Sequence, residues 1–188
     1  RYVQMSALGA DPNGPTAYVR AKGEAERAVR ASELDWTIVR PSVIFGEGGE
    51  FLRFTKLLAL PYVTPLPGGG ETRFQPIWVG DVAPMLAEAI EDDAHVGEAY
   101  ALAGPEKHTL ADIAKFAHGA AGRSVNVVTV PMGLTKVGLR LADRVPRSPM
   151  GSDQYRSLQF DNTTDDNDVG AFGRDPSTLK TLGEYLNE

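Results

Sequence analysis

Cysteine is absent from the chain, which excludes disulfides, thiolate nucleophiles and zinc-cysteine centres while leaving the redox compartment open. The three histidines, His95, His108 and His118, lack the spacing of metal ligands. Long apolar runs are missing as well, since no stretch approaches the ~18 residues of a membrane-spanning helix. Basic residues are in deficit, 19 Lys and Arg against 25 Asp and Glu, and the formal charge of −6 argues against a general nucleic-acid-binding face. No internal repeat is visible. The expectation is a protein without a transmembrane segment, cytoplasmic or peripheral to a membrane.

What is present is ordinary for a globular chain: 188 residues, 42% hydrophobic and 23% charged, enough for one domain or a core with a small lobe. The informative stretch is Ser6 to Lys22, SALGADPNGPTAYVRAK. Tyr2-Val3-Gln4-Met5 reads as a buried strand closed by Ser6, and strand ends in open α/β sheets face the ligand crevice. Gly9 to Pro15, rich in Gly, Asn, Asp and Pro, reads as a loop over that crevice. Thr16 then caps a helix to about Ser32. Its small-residue stripe of Ala17, Ala21, Ala25, Ala28 and Val29 is expected to pack on a sheet, and Glu26 and Arg30 form an i,i+4 pair. Tyr18 and Lys22 share one face, a turn apart. An ammonium beside a phenol favours the phenolate, which would bring Tyr18 toward acid/base work near neutral pH. The same spacing also suits a solvated helix face.

Further along, Leu34 to Arg40 is a β-branched run ended by Pro41, which with the preceding helix makes a βαβ unit. Glu50 to Leu60 has helical spacing, with Arg53 and Lys56 as surface charges, and Pro61 to Gly70 reads as a Pro/Gly-rich loop, a candidate lid. Phe74 to Ala83 reads as an aromatic strand entering a helix capped by Asp81. Glu98 to Gly104 is a further strand, Thr109 caps a helix over Leu110 to Ala121, and Ser124 to Val130 is a short strand. Leu134, Val137, Leu141 and Val145 recur at helical spacing beside Lys136, Arg140 and Arg144. This basic stripe suits a surface helix of a small lobe, with docking on a membrane surface or a protein complex as the alternative. Asp161 to Asp168 is too polar and acidic to pack and is expected to be a mobile loop. A closing helix starts at Pro176.

Taken together, Met5-Ser6-Ala7-Leu8-Gly9-Ala10, Tyr18-Val19-Arg20-Ala21-Lys22, Arg40-Pro41-Ser42-Val43-Ile44-Phe45-Gly46 and Gln75 to Val82 occur in an order that resembles the short-chain dehydrogenase/reductase superfamily. The likeness is to its extended and atypical members, above all the branch containing the nucleotide-binding accessory subunit of respiratory complex I and its prokaryotic relatives. The resemblance implies an α/β Rossmann fold with a small C-terminal α/β substrate lobe, bound NADP(H) or NAD(H), and an unknown small-molecule substrate. It further implies that Tyr18 exchanges a proton with a carbonyl or alcohol. Lys22 would lower the Tyr18 pKa and bond the nicotinamide ribose, Ser6 would hold the substrate oxygen, and the Pro41, Ser42, Val43 and Ile44 turn would line the nicotinamide pocket.

Two functions are open on this resemblance: an oxidoreductase or epimerase/dehydratase-like enzyme using Tyr18, Lys22 and Ser6, and a non-catalytic nucleotide-binding accessory or assembly subunit. Modification of a sugar nucleotide or an isoprenoid quinone differs from the first only in substrate.

The glycine fingerprint that would hold the pyrophosphate on a helix N-terminus is not found. Gly46-Glu47-Gly48-Gly49 and Gly68-Gly69-Gly70 have other spacings and read as loops. The chain also opens at Arg1 inside a strand without an initiator methionine or leader. It is therefore expected to be the C-terminal part of such a protein, with 1–49 and 74–104 in the Rossmann core and 50–73 and 105–188 in the substrate lobe.

Overall fold

The structure, a computed structural model, describes residues 1–49, 51, 63–120, 122–124, 126–130 and 160–187. Apart from Phe51, the helices expected over Glu50 to Leu60 and Leu134 to Val145, with Arg53, Lys56 and the basic stripe, lie outside the described residues.

The central element is β2, Trp36–Pro41, whose Thr37, Ile38 and Val39 are fully buried. A strand with β-branched residues on both faces needs cover on both sides, which a parallel sheet flanked by helices supplies. Strand β1, Tyr2–Met5, pairs with it in parallel, Tyr2 opposite Trp36 and Met5 opposite Val39. On the other side lies β7, Ala99–Leu102, with Ile38 opposite Ala99 and Pro41 opposite Leu102. The one buried hydroxyl of this run, on Thr37, donates to the His95 carbonyl at 2.7 Å.

The β1 to β2 crossover is helix α1, Ala17–Arg30, whose N-cap Thr16 accepts from the Val19 N–H. Its buried face is Gly23, Glu26 and Val29, whereas Ala17, Ala21 and Ala28 are exposed, so the alanine stripe is not the packing face. The reason is electrostatic as well as steric: Glu26 turns inward to Arg40 on β2 and does not form the expected ion pair with Arg30, whose guanidinium lies over the Trp36 ring. Nor is β1 a buried strand. Tyr2 and Met5 are exposed, because β1 is the edge of this sheet and pairs with β2 alone among the described residues.

Beyond the proline of β2, the chain forms β3, Ile44–Phe45, parallel to β6, Ile77–Trp78. Helix α2, Val79–Glu91, follows directly. Asp81 does not cap it; its carboxylate accepts the Lys180 N–H at 3.0 Å, tying down the C-terminal segment. The main core gathers Val39, Ile77, Val82, Met85, Leu102, Val169 and Phe172, and a second core joins Phe45, Phe51, Ile113 and Leu182.

The stretch read as a Pro/Gly loop contains a strand, β4, Val63–Pro67, parallel to β9, Asn126–Val130. Two prolines are tolerated because, among the described residues, β4 pairs with β9 alone and its other edge carries no ladder. Strand β5, Arg73–Phe74, pairs antiparallel with β8, His108–Thr109, and helix α3, Leu110–Ala120, starts at Thr109, whose hydroxyl accepts the Asp112 N–H. After a 3-10 turn at Pro176–Thr178, helix α4, Leu182–Leu186, closes the chain behind a Thr181 and Glu184 capping box.

The polar run at 161–168 is a corrected expectation, since it is fastened to strand ends and not loose. Asn162 bonds to Arg73, Gln75, Ser42 and Val43, Asn167 exchanges two hydrogen bonds with the Ala103 backbone, and Asp168 accepts from the Ala101 N–H. Short amide and carboxylate side chains here take the place of a further strand on the edge of β7.

Candidate functional site

The C-terminal ends of β1 and β2 open into a cleft of about 580 Å³, within the range of ~300–1,000 Å³ usual for small-ligand sites. All seven residues expected to act, Ser6, Tyr18, Lys22, Pro41, Ser42, Val43 and Ile44, line it. One wall is the first two turns of α1, carrying Tyr18 and Lys22. The other is the end of β2 and its continuation, to which Phe51, Phe74 and the segment Phe160 to Asn162 add.

Lys22 is held at the end of β1, where its ammonium donates to the Met5 carbonyl at 2.8 Å, with Nζ 5.8 Å from the Tyr18 ring centroid. Tyr18 remains 53% exposed. The expected lowering of its pKa does not occur: burial of part of the phenol pushes it above the ordinary tyrosine value. A phenol in that state is a proton donor at neutral pH.

Ser6 is buried, and its hydroxyl donates to Glu26 Oε1 at 2.5 Å. Arg40 completes the group with two bonds to the same carboxylate, Nε to Oε1 at 2.8 Å and Nη2 to Oε2 at 2.5 Å. Burial opposes the charge on Glu26, but the hydrogen bonds from Arg40 and Ser6, with the charges of Arg40 and Arg30, outweigh it and hold the carboxyl below its usual range. For Ser6 to donate to a substrate oxygen, its hydroxyl would have to leave Glu26.

Sequence reasoning missed Glu26, Arg40 as its partner, Asn162 and the phenylalanines. Glu26 had a readable signal, since Tyr18, Lys22 and Glu26 recur every four residues on one helical face. Asn162 had none: its Oδ1 accepts from Ser42 Oγ at 2.8 Å and from the Val43 N–H at 2.9 Å, across 120 and 119 positions of sequence.

The residues suit the nicotinamide end of a dinucleotide. The walls are mostly apolar, the Lys22 ammonium stands on one of them, and the cleft lies outside the carboxyl ends of parallel strands. No metal-binding cluster of His, Cys, Asp and Glu occurs among the described residues, and no helix there is long and apolar enough to cross a membrane.

Residues 1–93 match the NAD(P)H-binding family. Over its full length the chain has the fold of a nucleoside-diphosphate-sugar epimerase from Staphylococcus aureus, with a TM-score of 0.68 at 18% identity, covering 64% of that chain. A human epimerase family protein solved with NADPH matches 98% of the chain at a TM-score of 0.67 and 20% identity, with 63% of that protein covered. The NAD(P)H-binding match thus covers the N-terminal half of the chain, and the fold of the whole is similar to the Rossmann-type fold of these epimerase structures.

In sequence, the chain is 32% identical over 179 residues to the mitochondrial NADH dehydrogenase [ubiquinone] 1 alpha subcomplex subunit 9 of Arabidopsis thaliana, and 27% identical over 137 residues to the NAD(P)H azoreductase of Xenophilus azovorans. These matches take in 89% and 72% of the chain, but 44% and 46% of those relatives, so the chain spans less than half of each.

Proposed function

We propose that the cleft is the nicotinamide and substrate side of an NAD(P)H site, and that the protein is an NAD(P)H-dependent oxidoreductase of the short-chain or epimerase/dehydratase type. The observation that carries this is the convergence of Tyr18 and Lys22 from α1 with Pro41 to Ile44 from the end of β2 on one apolar-walled cleft. In this reading residues 1–49 and 74–104 form the Rossmann core, and 50–73 and 105–188 the substrate lobe. Bound NAD(P)H supplies the hydride. Tyr18, kept protonated by its raised pKa, donates from Oη to the substrate oxygen, which suits reduction of a carbonyl. Lys22 holds the nicotinamide ribose. Ser6 secures Glu26, and Glu26 in turn fixes the inner face of α1 against β2.

A second reading, a nucleotide-binding accessory subunit without turnover, is favoured by the commitment of the Ser6 hydroxyl to Glu26 and by the names of the NADH dehydrogenase relatives. Titration of the complete protein with NADPH and NADH, followed by a carbonyl panel, separates the two. Under the enzyme reading nucleotide is consumed, and Lys22→Ala weakens both binding and turnover, because the ammonium that holds the ribose also orients the nicotinamide. Tight binding with no turnover of any carbonyl compound would select the accessory reading.

A further inference from the structure

Two residues of the cleft wall, Ser42 and Val43, lie between the end of β2 at Pro41 and the start of β3 at Ile44. Their polar groups still need partners, since a buried N–H or hydroxyl left unpaired is costly. The Ser42 N–H donates to the Leu102 carbonyl at 2.8 Å, and the Val43 carbonyl accepts the Ile77 N–H at 3.0 Å. The Ser42 hydroxyl and the Val43 N–H converge on one atom. Asn162 Oδ1 accepts from Ser42 Oγ at 2.8 Å and from the Val43 N–H at 2.9 Å, which uses both lone pairs of the amide oxygen.

That oxygen is carried on a fixed main chain. The Asn162 N–H donates to the Arg73 carbonyl at 2.8 Å, and its carbonyl accepts the Gln75 N–H at 3.0 Å, a parallel bridge against Phe74 of β5. Beside it, the Asp161 carboxylate accepts the Arg73 N–H and pairs with the Arg73 guanidinium at 3.8 Å. Gln75 is itself buried, its side-chain amide donating to the Gly104 carbonyl and accepting the Thr164 N–H. One asparagine thus joins a segment fastened on β5 to the turn after β2. Resting on the reading of the cleft as the nicotinamide side of an NAD(P)H site, we propose that Asn162 is a positioning residue for the cofactor. Its amide oxygen sets the main chain at Ser42 and Val43, and through it the wall that meets the nicotinamide. The pyrophosphate of a dinucleotide depends on a glycine-rich turn at a helix N-terminus, so loss of the Asn162 contacts acts on the nicotinamide end alone.

The test is calorimetric titration of the complete protein, as wild type, Asn162→Ala and Asn162→Asp, with NADPH and NADH and with the same molecules without nicotinamide, 2′-phospho-ADP-ribose and ADP-ribose. The wild type is expected to bind the dinucleotide more tightly than its fragment. N162A should weaken the dinucleotide about fivefold, the scale of one neutral hydrogen bond, and leave the fragment within about twofold. N162D keeps an acceptor oxygen at that place and should restore the dinucleotide to within about twofold of the wild type. Ser42→Ala removes one of the two contacts and leaves the anchor on β5 intact, so the same selective loss, about twofold, is expected in a milder variant. Equal weakening of dinucleotide and fragment, or an N162D as weak as N162A, would overturn the role of Asn162, because a general loss of structure does not select the nicotinamide end. A wild type that binds dinucleotide and fragment alike removes the reading of the cleft and the role of Asn162 with it. A wild-type preference for the dinucleotide that N162A leaves unchanged removes the role of Asn162 alone.

Discussion

At position 26 a carboxylate whose side chain is 5% exposed sits between a serine at the end of β1 and an arginine on β2. Removing it leaves the Arg40 guanidinium, itself 35% exposed, without a partner and the Ser6 hydroxyl without an acceptor. Glu26→Ala is therefore expected to cost about 2 kcal/mol, toward the low end for broken ion pairs because water still reaches Arg40. The sign of the pH effect follows from the lowered carboxyl pKa. The stabilisation is complete above the ordinary glutamate value and is lost as the pH falls through the lower, folded-state value, where the native carboxylate takes up its proton. Urea midpoints of wild type and E26A, measured from pH 7 downward, should draw together as the pH falls below the ordinary glutamate value. A gap that stays constant over that range would mean the loss is one of packing, not charge.

Helix α1 is set against the loop before it by a glycine. A Cβ on Gly23 would lie 2.3 Å from the backbone of both Asp11 and Pro12, so only hydrogen lets loop and helix approach so closely. Alanine there favours an isolated helix by about 1 kcal/mol, yet the clash is with main chain, which cannot swing aside as a side chain would. Gly23→Ala is expected to lower the melting temperature and weaken NADPH binding together, because α1 carries both Tyr18 and Lys22. A more stable protein with unchanged binding would show that the loop yields freely. This element also marks what a sequence can disclose. The β1-α1-β2 unit and the Thr16 cap rest on local periodicity and turn chemistry, and both are found. The run at 161–168 was misread because composition registers its polarity and not the strand-edge backbone groups, about 60 to 120 residues away, that its side chains satisfy. The inward turn of Glu26 likewise depends on Arg40, on a different element. Strand β4 was hidden by its prolines, whose permissible place at an edge becomes visible only with the pairing to β9.

For the molecule as a whole, β1 pairs on one side only among the described residues, and Tyr2 and Met5 are exposed on it. An apolar strand with a free edge is a template for another chain. Residues 1–188 by themselves are thus expected to self-associate as concentration rises, which sedimentation velocity across a hundredfold range would reveal; a monomer throughout would show that the edge is already protected. The central claim, that Tyr18 is the proton donor of a nicotinamide cleft, is met most directly by one comparison. In the complete protein, NADPH affinity and steady-state NADPH oxidation with an accepted carbonyl compound are measured for wild type and Tyr18→Phe. The account predicts affinity within about twofold and turnover reduced at least about a hundredfold, the scale of a lost general acid. Turnover equal to that of the wild type would contradict it.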